Sequence, residues 1–430
     1  MLGLGAGVST SSPTEAKYSL SLDGTNDYLD TGATFNSVFQ GNWSVSLWVN
    51  FTDKDPSSNE YVWGSEIGTE DVIRFGQLSN QTYNFYFKSN NDAADSNSWA
   101  TGYNDGDDGE TGWQHFVITA KNRTGSNATQ IICYQNGVLK TNVIAGLTGT
   151  NHAAFTSTNL FLGARNDDGT AELFSASKIS SFAIWNAVLD ADAVAAIYNN
   201  GIPTNLTFDS GNYDNSSALQ GYWRMGNGFF DDKANGIIHD QDNPGFGSNL
   251  VVNADFSTNE AEDQTYLNGG LQFDNWVEQQ SSGLRKFELT SDGQGIKCTI
   301  ETANDTNWNQ RIYQDVSSVL TVGDAYEFSV DILCSLARNF EACIETSGGA
   351  GDQFAPDDVA LSANTRTVIK KVFRCTATSD SGNPMTFHLY PTGDVLPAGE
   401  FYEVRNPSLK KLNGNPGITS GGPTFSSDTP

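Results

Sequence analysis

Along most of the chain, apolar and polar residues alternate with a period of two, which predicts β-strands. Val45, Leu47 and Val49, for example, share one face of such a segment. The clearest segments of this type are 18–22, 44–49, 112–119, 131–139 and 326–332. The dipeptide Asn136-Gly137 favours a type I′ turn, so the segment that contains it is predicted to be a β-hairpin.

One segment departs from this alternation and has helical spacing. Leu189, Val194 and Ile197 lie on one face of the predicted helix, Asp190 is suited to the N-cap, and Gly201 lies near the end. One short helix among many strands predicts an all-β fold built from β-sandwiches of the jelly-roll type.

The chain length predicts two domains in tandem, because 430 residues exceed one ordinary core of about 100–200 residues. A Gly- and Asp-rich stretch interrupts the strand pattern and is interpreted as the linker. The predicted organisation is an N-terminal docking arm at 1–17, a first sandwich at 18–228, the linker at 229–248, a second sandwich at 249–412 and a flexible C-terminal tail at 413–430.

Several motifs of the first predicted domain follow one another in a recognisable order. They lie at 18–29, 43–51, 113–115, 132–139, 181–186 and 222–225. As a set they resemble laminin-G-like, concanavalin A-like sandwich domains. The resemblance covers most of residues 17–240 and implies a two-sheet sandwich.

The second predicted domain opens with Asn253-Ala254-Asp255-Phe256. This opening and the later segments 312–316, 322–326 and 401–409 resemble jelly-roll carbohydrate-binding modules of the family 4 and 9 kind. The resemblance implies a structural calcium site at Asp255 and Glu403, where Glu403 stands in place of the usual Asp.

The charge balance excludes some partners. Lys and Arg number 23 against 51 Asp and Glu, a formal net charge of −28. Nucleic acids and anionic membranes are bound mainly through Lys and Arg, so neither is an expected partner. No apolar run approaches the ~20 residues that a membrane helix needs.

The N-terminal segment and the cysteines predict little about the compartment. The first basic residue is Lys17 and no long apolar run precedes it, so a standard secretory signal is not expected. The five cysteines include no CxxC pair. Cys334 and Cys343 could form a disulfide, but buried free thiols are the commoner outcome for such residues.

Motifs of catalytic sites are missing. There is no Gly-Lys dipeptide for a phosphate-binding loop, no GxSxG elbow and no HExxH motif among the four histidines. The Glu-x-Asp-x-x-Glu strand of concanavalin-like hydrolases is also missing. The protein is therefore predicted not to be an enzyme, with a glycoside hydrolase or lyase as one alternative.

Two kinds of binding site are predicted. Asp167 or Asp168, in an acidic turn, would supply oxygen ligands to one calcium ion at the rim of the first sandwich, and a solvated acidic turn is the alternative. Aromatic rings in polar surroundings stack on sugars. A glycan site is predicted from Trp276, Trp308, His388 and Tyr390 in the second domain, although such tryptophans can also pack under loops.

The two domains together resemble fibre and capsid-decoration proteins of marine tailed phages. The resemblance implies a non-enzymatic virion surface protein that displays glycan-binding-type sandwiches for adhesion to a host or another surface. Other virion proteins would contact residues 1–17 and the C-terminal tail, cell-surface or extracellular glycans are possible partners, and a homo-oligomer is expected in the assembly. A secreted, extracellular bacterial carbohydrate-binding protein is the other alternative.

Overall fold

The computed structural model describes residues 16–52, 55–89, 95–100, 112–121, 130–140, 155–261, 271–278, 285–303, 311–345, 352–354, 359–376, 384–390 and 396–430. Strands dominate these ranges, and the predicted all-β class with two sandwiches is confirmed. The described residues contain the predicted short helix and a further helix of four residues. Within the same ranges, no helix combines the length and the apolar character needed to cross a membrane. Residues 1–15 of the predicted docking arm lie outside the described residues.

The chain folds as two compact units. Unit 1 comprises the described residues of Met1–Gly245 together with Asn413–Pro430, and unit 2 comprises Phe246–Leu412. The chain therefore leaves unit 1 after Gly245 and returns to it at Asn413.

The elements are numbered along the chain. Unit 1 begins with β1 Ser19–Asp23, β2 Tyr28–Asp30, α1 Asn36–Phe39, β3 Trp43–Phe51, β4 Glu60–Ile67, β5 Asp71–Leu78, β6 Thr82–Lys88, β7 Asp95–Ala100, β8 Gln114–Lys121, β9 Gln130–Gln135, β10 Val138–Leu139, β11 Phe161–Leu162, β12 Arg165–Asp167, β13 Thr170–Glu172, β14 Ala176–Trp185, α2 Ala191–Tyr198, β15 Leu219–Trp223 and β16 Ile237–Ile238. Unit 2 contains β17 Phe246–Asn249, β18 Asn259–Ala261, β19 Leu271–Phe273, β20 Val277–Glu278, β21 Arg285–Leu289, β22 Gly295–Ile300, β23 Ile312–Asp315, β24 Ala325–Cys334, β25 Arg338–Glu345, β26 Asp352–Phe354, β27 Val359–Leu361, β28 Thr367–Arg374, β29 Pro384–Tyr390 and β30 Phe401–Leu412. Unit 1 then resumes with β31 Gly417–Ser420 and β32 Thr424–Ser426.

Unit 1 is a sandwich of two sheets. Sheet A has the order β10-β9-β8-β3-β14-β1-β32, with β15 beside β14, and sheet B has the order β16-β31-β2-β11-β4-β5-β6-β7, with β12 and β13 at β4. The inward faces form one core that includes Trp43, Trp63 and Phe116, none of which has exposed surface. Each buried large apolar side chain contributes about 1.5–3 kcal/mol, so this core dominates the stability of unit 1.

The predicted hairpin and helix of unit 1 are both confirmed. Asn136 and Gly137 have φ angles of 52° and 74°, the positive values that a type I′ turn requires. Asp190 caps α2, because its carboxylate accepts a hydrogen bond of 2.8 Å from the backbone N–H of Ala193.

His115 belongs to a smaller cluster on the outer side of sheet A. Its ring stacks on Trp48 at 4.7 Å and on Tyr198 at 5.9 Å, and its Nε2 lies 2.8 Å from the Ser46 hydroxyl. Burial lowers the pKa of His115 to about 3, so the imidazole is neutral. Its role is to pack beneath α2.

Unit 2 is a second two-sheet sandwich. Sheet C has the order β21-β22-β30-β24-β28, with β17 beside β30, and sheet D has the order β20-β23-β29-β25-β26, with β27 beside β25. The predicted strand 326–332 lies in β24, where buried and half-buried residues alternate. The core includes Phe328, Phe387 and Trp276.

Trp276 is part of this core and not of the surface. Its ring is 3% exposed and packs 5.1 Å from Phe256 and 6.0 Å from Phe387. Its Nε1 donates a hydrogen bond of 3.1 Å to the Asn253 carbonyl. The predicted surface position of Trp276 is therefore wrong, because residues distant in the sequence, such as Phe387, cover the ring.

All five cysteines are buried and free. The disulfide alternative for Cys334 and Cys343 is therefore wrong. Burial raises the pKa of Cys298 and of Cys334 to about 12, so both remain protonated thiols.

The stretch predicted as a linker is mostly a structured part of unit 1. Asp231 accepts hydrogen bonds from the backbone N–H groups of Gly226, Gly228 and His239 at 2.7–3.0 Å. Asp240 accepts hydrogen bonds from the backbone N–H groups of Tyr222, Asp242 and Asn415. The linker interpretation is wrong for 229–245, because buried carboxylates hold its Gly- and Asp-rich turns in place.

The segment predicted as a flexible tail is also part of unit 1. Strand β31 pairs with β2 and β16, and β32 pairs with β1. The prediction failed because short strands rich in Gly, Ser and Thr have no core of their own and depend on partners distant in the sequence.

The buried Asp240 is expected to make the stability of unit 1 depend on pH. Burial raises its pKa to about 6 from an ordinary value of 3.8, so the folded state binds the proton more tightly. The proton on Asp240 stabilises folded unit 1 fully below pH 3.8, and this stabilisation is lost as the pH rises through about 6. The loss lowers the free energy of unfolding by about 1–3 kcal/mol. The side chain introduced by Asp240→Asn cannot ionise, so the free energy of unfolding of this variant should depend less on pH. Urea unfolding followed by tryptophan fluorescence measures this dependence.

The exposed Asp214 supplies the matched control for the loss of one carboxylate. Asp214→Asn should leave the slope between pH 4 and 6 unchanged. An Asp240→Asn variant with the wild-type slope would contradict the assignment.

Trp276→Ala is expected to destabilise unit 2 by about 3–5 kcal/mol, because the change leaves a cavity in a packed core. The neighbouring Val277 is 47% exposed, so Val277→Ala should stay within about 0.5 kcal/mol of wild type. Urea unfolding of the full chain measures both values. An unchanged stability of Trp276→Ala would mean that the ring is not in the core.

Candidate functional site

The candidate site lies on the outer face of sheet D. Met385, Phe387 and Leu389 of β29 point into the core of unit 2. Alternation along the strand therefore turns Thr386 and His388 to the opposite face. His388 therefore lies on the face of β29 opposite Phe387 and Leu389.

Neighbouring strands bring further polar residues to this face. Thr386 pairs in register with Tyr313 of β23 on one side and with Cys343 of β25 on the other. His388 pairs with Glu341 of β25. We refer to Arg311, Tyr313, Glu341, Thr386 and His388 as the sheet D face.

His388 and Glu341 form an ion pair that fixes both side chains. The His388 Nε2 lies 3.2 Å from a carboxylate oxygen of Glu341, and its Nδ1 lies 3.0 Å from the Leu389 carbonyl. Both ring nitrogens of His388 thus lie near oxygen atoms of the protein, which fixes the orientation of the ring. The hydrogen bond from His388 holds the pKa of Glu341 below its ordinary value, against the opposing effect of burial.

Arg311 and Tyr313 form the half-buried part of the sheet D face. The Arg311 guanidinium lies 4.8 Å from the centre of the Tyr313 ring, within the range of a cation–π contact. Arg311 also helps to lower the pKa of Glu341, after the larger contribution from His388. An aromatic ring, a guanidinium and a carboxylate therefore lie next to one another.

Thr386 lies between these groups and has no exposed surface. Its hydroxyl has no hydrogen-bond partner in the part of the chain that the structure describes. A buried hydroxyl without a partner costs about 1–3 kcal/mol, so a ligand hydroxyl that reached it would gain a hydrogen bond.

The sheet D face offers donors, acceptors and an aromatic platform. Hydrogen bonds to hydroxyl groups and stacking against an apolar ring face are the contacts that such a set supplies. In the described ranges, no cluster of three or more His, Cys, Asp or Glu side chains is arranged to hold a metal ion.

The predicted glycan-binding residues do not come together as one set. His388 lies on the sheet D face, whereas Trp276 is buried in the core. Tyr390 ends β29, in register with Asn339, but its side chain is outside the described part. Trp308 lies outside the described residues.

The acidic turn predicted to bind calcium is a hairpin turn between β12 and β13. Asp168 and Gly169 have φ angles of 49° and 92°, and the Asn166 side chain accepts a hydrogen bond of 2.8 Å from the Gly169 N–H. Asp167 pairs with Arg165 at 3.2 Å. The carboxylate of Asp167 thus faces a cation of the protein itself.

The second predicted calcium pair also has partners within the protein. Asp255 is exposed and accepts hydrogen bonds from the N–H and hydroxyl of Ser257 at 3.2 and 2.9 Å. Glu403 pairs with Arg366 at 2.5 Å and with Arg405 at 3.2 Å. Two arginines therefore neutralise the carboxylate that the resemblance assigned to calcium.

Sequence reasoning missed four members of the sheet D face. Thr386 could have been found, because the alternation that places His388 on the face also includes position 386. Arg311, Tyr313 and Glu341 carry no comparable local signal. They reach the face through pairing of β23 and β25 with β29, and short-range patterns do not specify that pairing.

Comparison with known families places the resemblance within unit 1. Residues 23–195 match the Laminin_G_3 family, described as the Concanavalin A-like lectin/glucanases superfamily. The predicted laminin-G-like, concanavalin A-like domain is thereby confirmed. A search of the curated proteins finds no match.

Several solved structures are similar to parts of this chain. One described as "CBM4 structure and function" is 15% identical, with a TM-score of 0.29, and the match covers 37% of this chain and 99% of that one. The SAP-like pentraxin of Limulus polyphemus is 14% identical, with a TM-score of 0.30 and coverages of 43% and 82%. The CBM40 of the Ruminococcus gnavus IT-sialidase, bound to alpha2,6 sialyllactose, is 15% identical, with a TM-score of 0.33 and coverages of 42% and 97%.

Proposed function

We propose that the protein is a non-enzymatic glycan-binding protein and that unit 2 binds sugar through the sheet D face. The buried Thr386 hydroxyl beside the Arg311–Tyr313 pair carries this proposal. The half-buried Tyr313 supplies an aromatic surface for the CH groups of a sugar ring. The Thr386 hydroxyl has no exposed surface, so it would bond a sugar hydroxyl once the side chains that cover it move aside.

The ion pair supports binding over catalysis at this face. Glycoside hydrolysis requires one carboxyl group that donates a proton and another that acts as nucleophile or base. The Glu341 carboxylate is held by His388 at 3.2 Å and by the Cys343 thiol at 3.3 Å, and its lowered pKa favours the ionised form. Such a carboxylate is better suited to act as a fixed hydrogen-bond acceptor than as a proton donor.

The wider setting that we propose is the surface of a virus particle. The order of a laminin-G-like sandwich and a jelly-roll sandwich supports this setting, as does the net charge of −28. A strongly acidic exterior keeps densely displayed copies from associating non-specifically. Residues 1–17 would attach the protein to its neighbours in the particle.

Glycan binding is expected to depend on the sheet D face. Arg311→Gln and Tyr313→Ala should each weaken binding to the best ligand of a glycan array by at least about tenfold, because a hydrogen bond to a charged group contributes about 1.5–3 kcal/mol. Isothermal titration with that ligand measures the effect.

A similar cation–π pair on sheet C provides the control. Lys297 lies 4.1 Å from the ring centre of Phe401 there, so Lys297→Gln and Phe401→Ala should leave the affinity unchanged. Equal losses in both sets, or no binding by wild type, would reject the sheet D face as the site. A reducing-sugar assay on the same ligand should show no cleavage.

The virion setting predicts where the protein is found and which segment holds it there. Mass spectrometry of purified particles should detect the full-length chain, and a variant lacking residues 1–17 should be lost from them because it lacks its attachment segment. Circular dichroism of this variant should match that of wild type. A particle that retains the shortened chain would refute attachment through this segment.

A further inference from the structure

The C-terminal segment, Asn413–Pro430, completes both sheets of unit 1. Strand β32 lies at the edge of sheet A, where Ser19, Leu20 and Ser21 pair with Ser426, Phe425 and Thr424. Strand β31 lies between β2 and β16 in sheet B. Without this segment, three strands would present unpaired N–H and C=O groups, so the positions require a strand.

Side chains at both ends anchor the segment. The anchors within the segment are Asn415 and Asp428. Near the start of the segment, the Trp223 Nε1 donates to the Asn415 carbonyl at 2.8 Å, and Asp240 accepts from the Asn415 N–H at 3.2 Å. Near its end, the Trp113 Nε1 donates to Asp428 at 3.0 Å, and Lys178 pairs with Asp428 at 2.6 Å.

The fit between these anchors is close. An added Cβ at Gly417 would lie 2.7 Å from the Leu29 side chain, and one at Gly421 would lie 2.2 Å from the Asn26 carbonyl oxygen. Gly421 also has a φ angle of 87°, which favours glycine. Unit 1 therefore contains an acceptor site shaped for this sequence.

The connection between the segment and the rest of unit 1 is unusual. All of unit 2, Phe246–Leu412, lies between them in the chain. No tight turn links β31 or β32 to the strands that they pair with. The segment therefore binds its acceptor site as a tethered ligand, with unit 2 as the tether.

We propose that the acceptor site of unit 1 also binds the C-terminal segment of a second copy of the chain, so that copies are joined by exchanging this segment. Exchange keeps the pairing of β31 and β32 and the anchors at Asn415 and Asp428, because the donated segment is identical. It requires the chain to be redirected at Leu412 and Asn413, where the Asn413 N–H is hydrogen-bonded to the Gly245 carbonyl. The partner is thus another molecule of the same protein.

Concentration and salt should control the exchange. A tethered segment competes at an effective concentration in the mM range, so exchanged forms should appear as the protein approaches that range. Each copy carries a net charge of −28, and the resulting repulsion weakens as salt shortens the Debye length. A dense array of copies at high salt concentration would meet both conditions.

A disulfide between β1 and β32 tests the proposal in the full chain. Ser21 and Thr424 are paired in register, and paired Cα atoms of antiparallel strands lie about 4.5–5.5 Å apart, within reach of a disulfide. The double variant Ser21→Cys/Thr424→Cys, oxidised while dilute, should lock the segment into its own chain. The five native cysteines are buried and leave the new pair as the accessible thiols.

Light scattering after size-exclusion chromatography then measures the mass at about 1 mM protein and about 0.5 M salt. Wild type and the reduced double variant should form dimers, and the oxidised double variant should stay monomeric. Mixing the two single-cysteine variants under these conditions should produce a disulfide-linked heterodimer that neither forms alone.

Three results would overturn the proposal. Wild type could remain monomeric, the oxidised double variant could dimerise as readily as wild type, or the disulfide could fail to form in the dilute double variant. The last result would contradict the register on which the acceptor site rests.

Discussion

The burial of one face of each strand against an opposing sheet is the constraint on which both units depend. In unit 1, rings such as Trp43 and Trp63 meet between sheets A and B, and in unit 2, Phe328 and Phe387 meet between sheets C and D. Because side chains alternate along a strand, this burial also determines what each outer face presents. The polar row on sheet D is thus a direct consequence of the apolar row on the inside of β29.

Outer faces with the same origin can serve different purposes. On sheet C, outward side chains of opposite charge pair with one another, as in Lys370 with Glu327 and Arg405 with Glu403. On sheet D the Thr386 hydroxyl is left without such a partner in the described ranges.

Local patterns in the sequence predicted the features that depend on neighbouring residues. Alternation predicted β24, Asn136-Gly137 predicted a hairpin turn, and Asp190 predicted the helix cap. Features that depend on distant partners were not predicted. Trp276 appeared exposed because its cover comes from other strands, and the C-terminal strands pair with residues almost the whole chain length away. Polar turns also resembled a linker at 229–245, because nothing local shows that Asp231 and Asp240 become buried.

The point at which the chain leaves unit 1 lies beside the point at which it returns. The Asn413 N–H donates a hydrogen bond of 3.0 Å to the Gly245 carbonyl. Two chain ends this close can be joined by a short bridge or can receive a different insert without moving a strand of the host. Residues 246–412 are therefore inserted into unit 1 at a single point, and exchanging that insert for another would leave the strand pairing of unit 1 unchanged.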